Sequence, residues 1–167
     1  MGASPRELTG RKTYMKNESF AVYEFPKMNL KIGYTDNAIC HVLFTDEKAG
    51  GSPSKLSDEA AKQLLEYFEG KRKDFNLPLE PQGTIFQKKV WSALSEIPYG
   101  ETRSYKDIAE AVGSPKGFRA VGGANHNNPI SIIIPCHRVV AADGGLGGYG
   151  GGLETKKLLL DLEGKLR

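Results

Sequence analysis

The sequence predicts an α+β protein in two parts: a small N-terminal domain of β-sheet and helix, then a mostly helical C-terminal domain with a helix–turn–helix. Three observations carry this. Residues 19–44 contain three short runs with strand character, residues 57–70 and 84–97 place apolar side chains at helical spacing, and residues 104–125 read as helix, short glycine-containing turn, helix.

The strand runs are 19–25 (SFAVYEF), 29–35 (NLKIGYT) and 38–44 (AICHVLF). Leu30, Ile32 and Tyr34 alternate with Asn29, Lys31 and Gly33, the period of a half-buried strand. Asp36 and Asn37 between two such runs are hairpin residues. After the loop EKAGGSPSK, Ser57 is expected to cap a helix with Asp58 and Glu59 in its first turn. Ala61, Leu64, Leu65 and Phe68 form its apolar face and Gly70 stops it. DFNLPLEPQG, with Pro78 and Pro81, reads as a linker or strap.

From about Gly83 the pattern is helical. Thr84 and Gln87 fit a capping box; Phe86, Val90, Leu94 and Ile97 follow at helical spacing, and Pro98 and Gly100 end the helix. Ser104 caps the next, with Asp107 at the third position, Ile108, Ala109, Ala111 and Val112 inside, and Gly113 closing it. Ser114 and Pro115 then read as N-cap and first residue of a helix KGFRAVGGANH. An ordinary helical hairpin gives the same outline. Gly122 and Gly123 are poor choices for helix stability alone, and with Ala120 and Ala124 they leave small side chains that let another surface approach closely. The run ISIII at 130–134 reads as a strand, and a last helix spans about 153–163 with Leu158, Leu159 and Leu162 inward.

Residues 1–14 read as a dispensable leader, with Met15 a candidate natural start, 15–80 as the N-terminal domain and 81–167 as the C-terminal one. The 167 residues are 39% hydrophobic and 26% charged, with net charge +3, which permits a nucleic-acid partner without demanding one. No apolar run approaches the ~20 residues of a membrane span, and the polar N-terminus is no secretory signal, so a cytoplasmic protein is expected. Cys40 and Cys136 make no disulfide framework, and with His41, His126 and His137 they show no metal-ligand spacing, so neither metal nor cofactor is expected.

The chemistry points to IPCHRVV. Cys136 follows a proline and an apolar run and precedes His137 and Arg138. A thiolate is the nucleophile, and a neighbouring imidazole, guanidinium or helix N-terminus lowers the thiol pKa. In extended backbone, adjacent side chains point to opposite faces, so contact with His137 needs a turn or a water, and Pro135 supplies a bend. An orienting carboxylate for His137 has three candidates, Asp143, Glu154 and Glu163, and spacing does not choose among them. The competing reading of Cys136 is a small buried hydrophobe. Cys40, among Ile39, Val42, Leu43 and Phe44, is expected to be buried and inert. GLGGYG at 145–150 matches GxGxxG, but no second strand with a distal acidic residue follows, so it reads as a loop whose amides and Tyr149 wall a pocket.

IPCHRV, RAVGGA, the Asn128–Pro129 pair and the downstream Tyr149 together resemble the O6-alkylguanine-DNA alkyltransferases, densely over residues 83–164. The resemblance implies a ribonuclease-H-like N-terminal domain, a monomer, and double-stranded DNA containing O6-alkylguanine as partner, with O4-alkylthymine a further candidate. It implies Cys136 as alkyl acceptor in a single irreversible turnover, His137 as its base through water, Glu163 orienting His137, and Asn128 bracing the turn. Tyr105 then contacts the flipped base, Tyr149 walls the guanine pocket, and the carbonyls of Cys136 and Val139 accept from the exocyclic amine. Arg119 fills the gap in the stack, while Ala120, Gly122, Gly123 and Ala124, with Ser104, lie in the minor groove. Gly150 stands where this family often has serine, which leaves the range of substrate size open. A cysteine hydrolase predicts multiple turnover, and a DNA-binding regulator predicts binding indifferent to Cys136.

Overall fold

The computed structural model describes residues 17–164. The expected leader at 1–14 and the start at Met15 lie outside the described residues. The chain divides into two compact units, one of residues up to Gln82 with Pro129–Ser131, the other of Gly83–Asn128 with residues from Ile132 onward.

In the first unit β1 (Ser19–Glu24), β2 (Asn29–Tyr34), β3 (Ile39–Thr45) and β4 (Gly50–Gly51) form an antiparallel sheet in the order β3-β2-β1-β4. Pairing of Ala21 with Ile32 and of Ile32 with Val42 lines one row of side chains across the sheet, all buried. The hairpin turn closes through Thr35, whose amide donates to Ala38 O (2.9 Å) and whose hydroxyl accepts the Asn37 and Ala38 amides. The outer edge of β3 is covered: Ile39 bridges Leu79 in the proline-rich strap, and Val42 bridges Ile130. An open edge invites pairing with other chains, and these bridges remove it.

Helix α1 (Lys55–Phe68) begins three residues earlier than expected. Ser54 is the N-cap, accepting the Ser57 amide at 3.0 Å, while the Ser57 hydroxyl accepts the Ser54 amide at 2.8 Å. Ser57 is therefore the far partner of a capping box, a position that usually holds Glu or Gln. Gly70, at φ +75°, ends the helix as expected, with the Lys71 amide reaching back to Glu66 O.

The second unit comprises α2 (Ile85–Ser95), β5 (Arg103–Ser104), α3 (Tyr105–Ala111), α4 (Phe118–His126), a 3₁₀ turn (Cys136–Arg138), β6 (Val139–Val140), which pairs parallel with β5, and α5 (Leu153–Leu162). The capping boxes of Thr84 with Gln87 and of Ser104 with Asp107 are both formed. Val90, Trp91, Leu94, Ile97, Ile108 and Val121 are buried, each large side chain contributing about 1.5–3 kcal/mol. Trp91 Nε1 donates to Ala124 O at 2.8 Å.

Four expectations fail here. Helix α4 starts at Phe118 with Gly117 as cap: Ser114–Gly117 form a turn of their own, the Gly117 amide donating to Ser114 O at 2.8 Å, and the first helical bond runs from the Val121 amide to Gly117 O. Residues 130–134 form no strand; Ile130 makes one bridge, and Ile132 sits at φ +72° in a turn, fully buried. The apolar run there signals burial, which a buried turn satisfies as well as a strand does. Of the inward residues expected in α5, Leu158 and Leu162 are only half-buried, whereas Lys156 and Leu160 are fully covered; Ala111 in α3 is exposed.

Candidate active site and nucleic-acid helix

The turn carrying Cys136 is braced by two asparagines. Asn128 Nδ2 donates to Ile134 O at 2.8 Å, and Asn125 Nδ2 donates to Cys136 O at 3.3 Å. The Arg138 amide closes the turn onto Pro135 O at 3.0 Å. Cys136 is buried. The Asn128 and Tyr149 side chains and the Lys156 cation favour the ionised form of its thiol.

His137 and Arg138 both reach Glu163. His137 Nε2 lies 2.8 Å from Glu163 Oε2, and Arg138 grips the same carboxylate with Nε (2.9 Å) and Nη2 (3.1 Å). The Gly100 amide adds a donor at 3.1 Å, delivered by a φ of +80° that favours glycine. Of the three candidate carboxylates the structure brings Glu163 to His137. Asp143 accepts the Gly145 amide in an exposed turn, and Glu154 is exposed. Arg138 also donates to Ile97 O at 2.7 Å. Arg138, adjacent to the thiol in sequence, thus places its charge on Glu163.

Burial pushes the Cys136 thiol above its ordinary value, with Asn128, Tyr149 and the Lys156 cation pulling the other way without prevailing. Burial pulls His137 below its ordinary value; Glu163 opposes this, and Arg138 and Lys156 assist. A neutral His137 that donates from Nε2 to the carboxylate keeps a lone pair on Nδ1, and Nδ1 is buried without a hydrogen-bond partner among the described residues. The tautomer is dictated by Glu163.

Lys156 escaped the sequence reading. It lies on the inner face of α5, and its Nζ donates to Val139 O (2.6 Å) and Gly148 O (3.1 Å), tying the strand after the turn to the glycine-rich loop. Burial pulls it down to about 8, and the sulfur opposes that shift. A lysine in register with Leu159 and Leu160 is the signal that marks it. The Val139 carbonyl, expected to accept from a base, thus already accepts an ammonium, leaving its second lone pair. Tyr105, half-buried, is bound through its hydroxyl by the Gly148 backbone, and burial raises its pKa. A Cβ on Gly147 would lie 2.9 Å from that hydroxyl, so the loop closes on Tyr105 only because glycine is there. Gly150 is exposed, with room for a Cβ at ordinary contact from His126.

On α4, Arg119, Ala120 and Gly123 are exposed and Gly122 is half-buried. Ala124 faces inward, 3% exposed, so it drops out of the expected groove-facing set. Ser104 spends its hydroxyl on the Asp107 amide. Cβ atoms added to Gly122 or Gly123 would meet nothing within 4 Å, so the fold itself does not require glycine at either position.

Residues 85–165 match the family model for the 6-O-methylguanine DNA methyltransferase DNA-binding domain, and residues 19–81 match that for its ribonuclease-like domain. The chain belongs to the 6-O-methylguanine DNA methyltransferase family. A methylated-DNA–protein-cysteine methyltransferase of Methanosarcina barkeri is 61% identical over 65% of this chain and 69% of its own length. One of Methanosarcina mazei is 44% identical over 86% and 96%. A crystal structure of Mycobacterium tuberculosis OGT in complex with DNA is 41% identical with a TM-score of 0.77, covering 85% of this chain and 90% of the other. The α+β class with its N-terminal antiparallel sheet and helical second unit is that of the family. Among the described residues no helix is long and apolar enough to cross a membrane, and no group of three or more His, Cys, Asp or Glu could hold a metal ion.

Proposed function

We propose that this protein repairs DNA by taking the alkyl group of an O6-alkylguanine onto its own Cys136. The observation that carries the reading is a buried Cys136 on a turn braced by Asn128 and Asn125, next to a His137 that Glu163 orients. Family membership, and relatives named as methylated-DNA–protein-cysteine methyltransferases, support it.

The resting thiol is protonated, because burial outweighs its partners. Its proton passes to Nδ1 of His137 by way of a water, and the imidazolium formed is stabilised by Glu163. The sulfur attacks the alkyl carbon, the carbon–O6 bond breaks, and its electron pair stays on the guanine oxygen. The purine then gains a proton and leaves as ordinary guanine. The Tyr105 hydroxyl, held neutral by its raised pKa, donates to the base as charge builds on it. The product is a thioether, which is neither nucleophilic nor a good leaving group, so each molecule acts once.

Double-stranded DNA is the partner, and α3 with α4 is the surface for it. An O6 substituent inside the stack is beyond the reach of a buried sulfur, so the nucleotide must rotate out. Arg119 takes its place, while Ala120, Gly122 and Gly123 let the helix lie close in the minor groove. The site is complete in one chain, which suits a monomer, and a thiol nucleophile suits a reducing cytoplasm.

The test is the intact mass after incubation with a duplex carrying one O6-methylguanine. One added methyl per protein, located on Cys136, is expected; an unchanged mass with the lesion intact, or repeated turnover, overturns the reading.

A further inference from the structure

Five large hydrophobic side chains are exposed among the described residues, and Phe118 is the aromatic one, at 54%. It is the first residue of α4, directly before Arg119. Nothing on its own helix shelters the ring. Val121, three residues on, is buried, and four residues on stands Gly122, where even an added Cβ would find open space. Lys116 and Arg119, both exposed, flank it, and residues 113–128 contain no Asp or Glu. A large exposed aromatic without a packing role, set among cations, has the composition of a nucleic-acid contact.

Consecutive Cα atoms are about 3.8 Å apart and successive helix side chains diverge by about 100°, while bases along one strand stack about 3.4 Å apart. If Arg119 fills the place of the extruded nucleotide, its predecessor meets the neighbouring step. We propose that Phe118 is an apolar wedge, its ring pressed in the minor groove against the base step beside the one that Arg119 fills. Apolar side chains inserted from the minor groove unstack such steps and bend the duplex. The ring would thus help to open the stack that Arg119 then holds open. This inference rests on the repair reading above and adds a residue to it.

The experiment compares single-turnover alkylation by two substrates, a duplex with one O6-methylguanine and free O6-benzylguanine base. Phe118→Ala is expected to slow the duplex reaction about tenfold, the loss of one base–aromatic contact, and to leave the free-base reaction unchanged. An unchanged duplex rate overturns the wedge. So does an equal fall with both substrates, which would place the ring in the fold. Phe118→Trp supplies a direct readout, because the native Trp91 is only 2% exposed. Its emission is expected to be quenched by duplex DNA, and an unquenched signal overturns stacking. Failure of the unmodified protein to take up any methyl sinks the repair reading itself, an outcome separate from these.

Discussion

The dipeptide Cys-His occurs twice in this chain, at Cys40 and His41 in β3 and at Cys136 and His137 in the 3₁₀ turn. Both sulfurs are buried, and both imidazoles meet a buried glutamate side chain, Glu18 in one case and Glu163 in the other. The chemistry proposed for one is not available to the other. In β3 Cys40 is the unpaired residue of a register shift between Ile39 and His41, and its sulfur lies 3.8 Å from Ala38 O. Burial and the acids Glu18 and Glu80 raise the Cys40 thiol to about 12, against a smaller pull from Thr35. At Cys136 burial acts in the same direction, but Asn128, Tyr149 and the cation of Lys156 resist it. A cysteine beside a histidine with a carboxylate behind it is therefore not a catalytic arrangement. What faces the sulfur decides.

The largest test of this contrast is substitution of each sulfur. Cys136→Ala should reduce methyl transfer by more than about a thousandfold, the scale of losing a nucleophile, while Cys40→Ala should leave the single-turnover rate within about twofold, a difference too small to implicate a nucleophile. A rate that depends on Cys40 would break the comparison. The glutamates come next. Glu163→Gln should slow transfer about a hundredfold by freeing His137, and should lower stability in urea by about 3–5 kcal/mol because Arg138 keeps a buried charge without its partner. Glu18→Gln should affect the urea midpoint and leave the rate alone.

The pH profile sharpens the contrast further. The Cys136 thiol is held above its ordinary value of about 8.5, so between pH 7 and that value the reacting form is the protonated thiol beside a neutral His137, and the transfer rate should be level there. His137 is held below about 6.5, so loss of the base should appear only on the acid side of that value. Lys156→Met removes the cation near the thiol and should lower the rate roughly tenfold at neutral pH, because proton loss from the sulfur becomes about one unit less favourable. A rate that climbs steadily from pH 7 would show that the reaction draws on free thiolate and not on proton transfer to His137. The smallest expected effect is on α4. Gly122→Ala should raise stability by about 0.5–1 kcal/mol, because a helical glycine is replaced where nothing obstructs a methyl, while weakening DNA binding in a gel-shift titration. Lower stability would show that the fold, rather than the groove, requires the glycine.

The local parts of the fold were legible. The capping boxes at Thr84 and Ser104, the Asp36–Asn37 hairpin and the stop at Gly70 are settled within a few residues of chain, and each formed as read. Misreadings arose where one local signal had two uses. Ser54 and Ser57 can each cap a helix, and Ser114 can open a helix or a separate turn; competition between neighbouring backbone hydrogen bonds chose. Residues 130–134 are apolar because they are buried, and that pattern is silent about φ at Ile132. At the site, Cys136 stood out in the sequence, Glu163 was one of three candidate carboxylates, and Asn128 entered only through resemblance. Asn125, Lys156 and the turn of Arg138 onto Glu163 went unread, since their partners lie 8 to 41 residues away.

By itself the sequence determined the periodicities, the caps and the presence of one cysteine in polar, cationic company, because those depend on neighbours along the chain. Only the tertiary structure decided which carboxylate meets His137, that Arg138 serves Glu163 instead of the thiol, and that a buried lysine lies near the sulfur. Desolvation and Coulomb forces act through space, and a thiol's acidity follows from what surrounds it after folding.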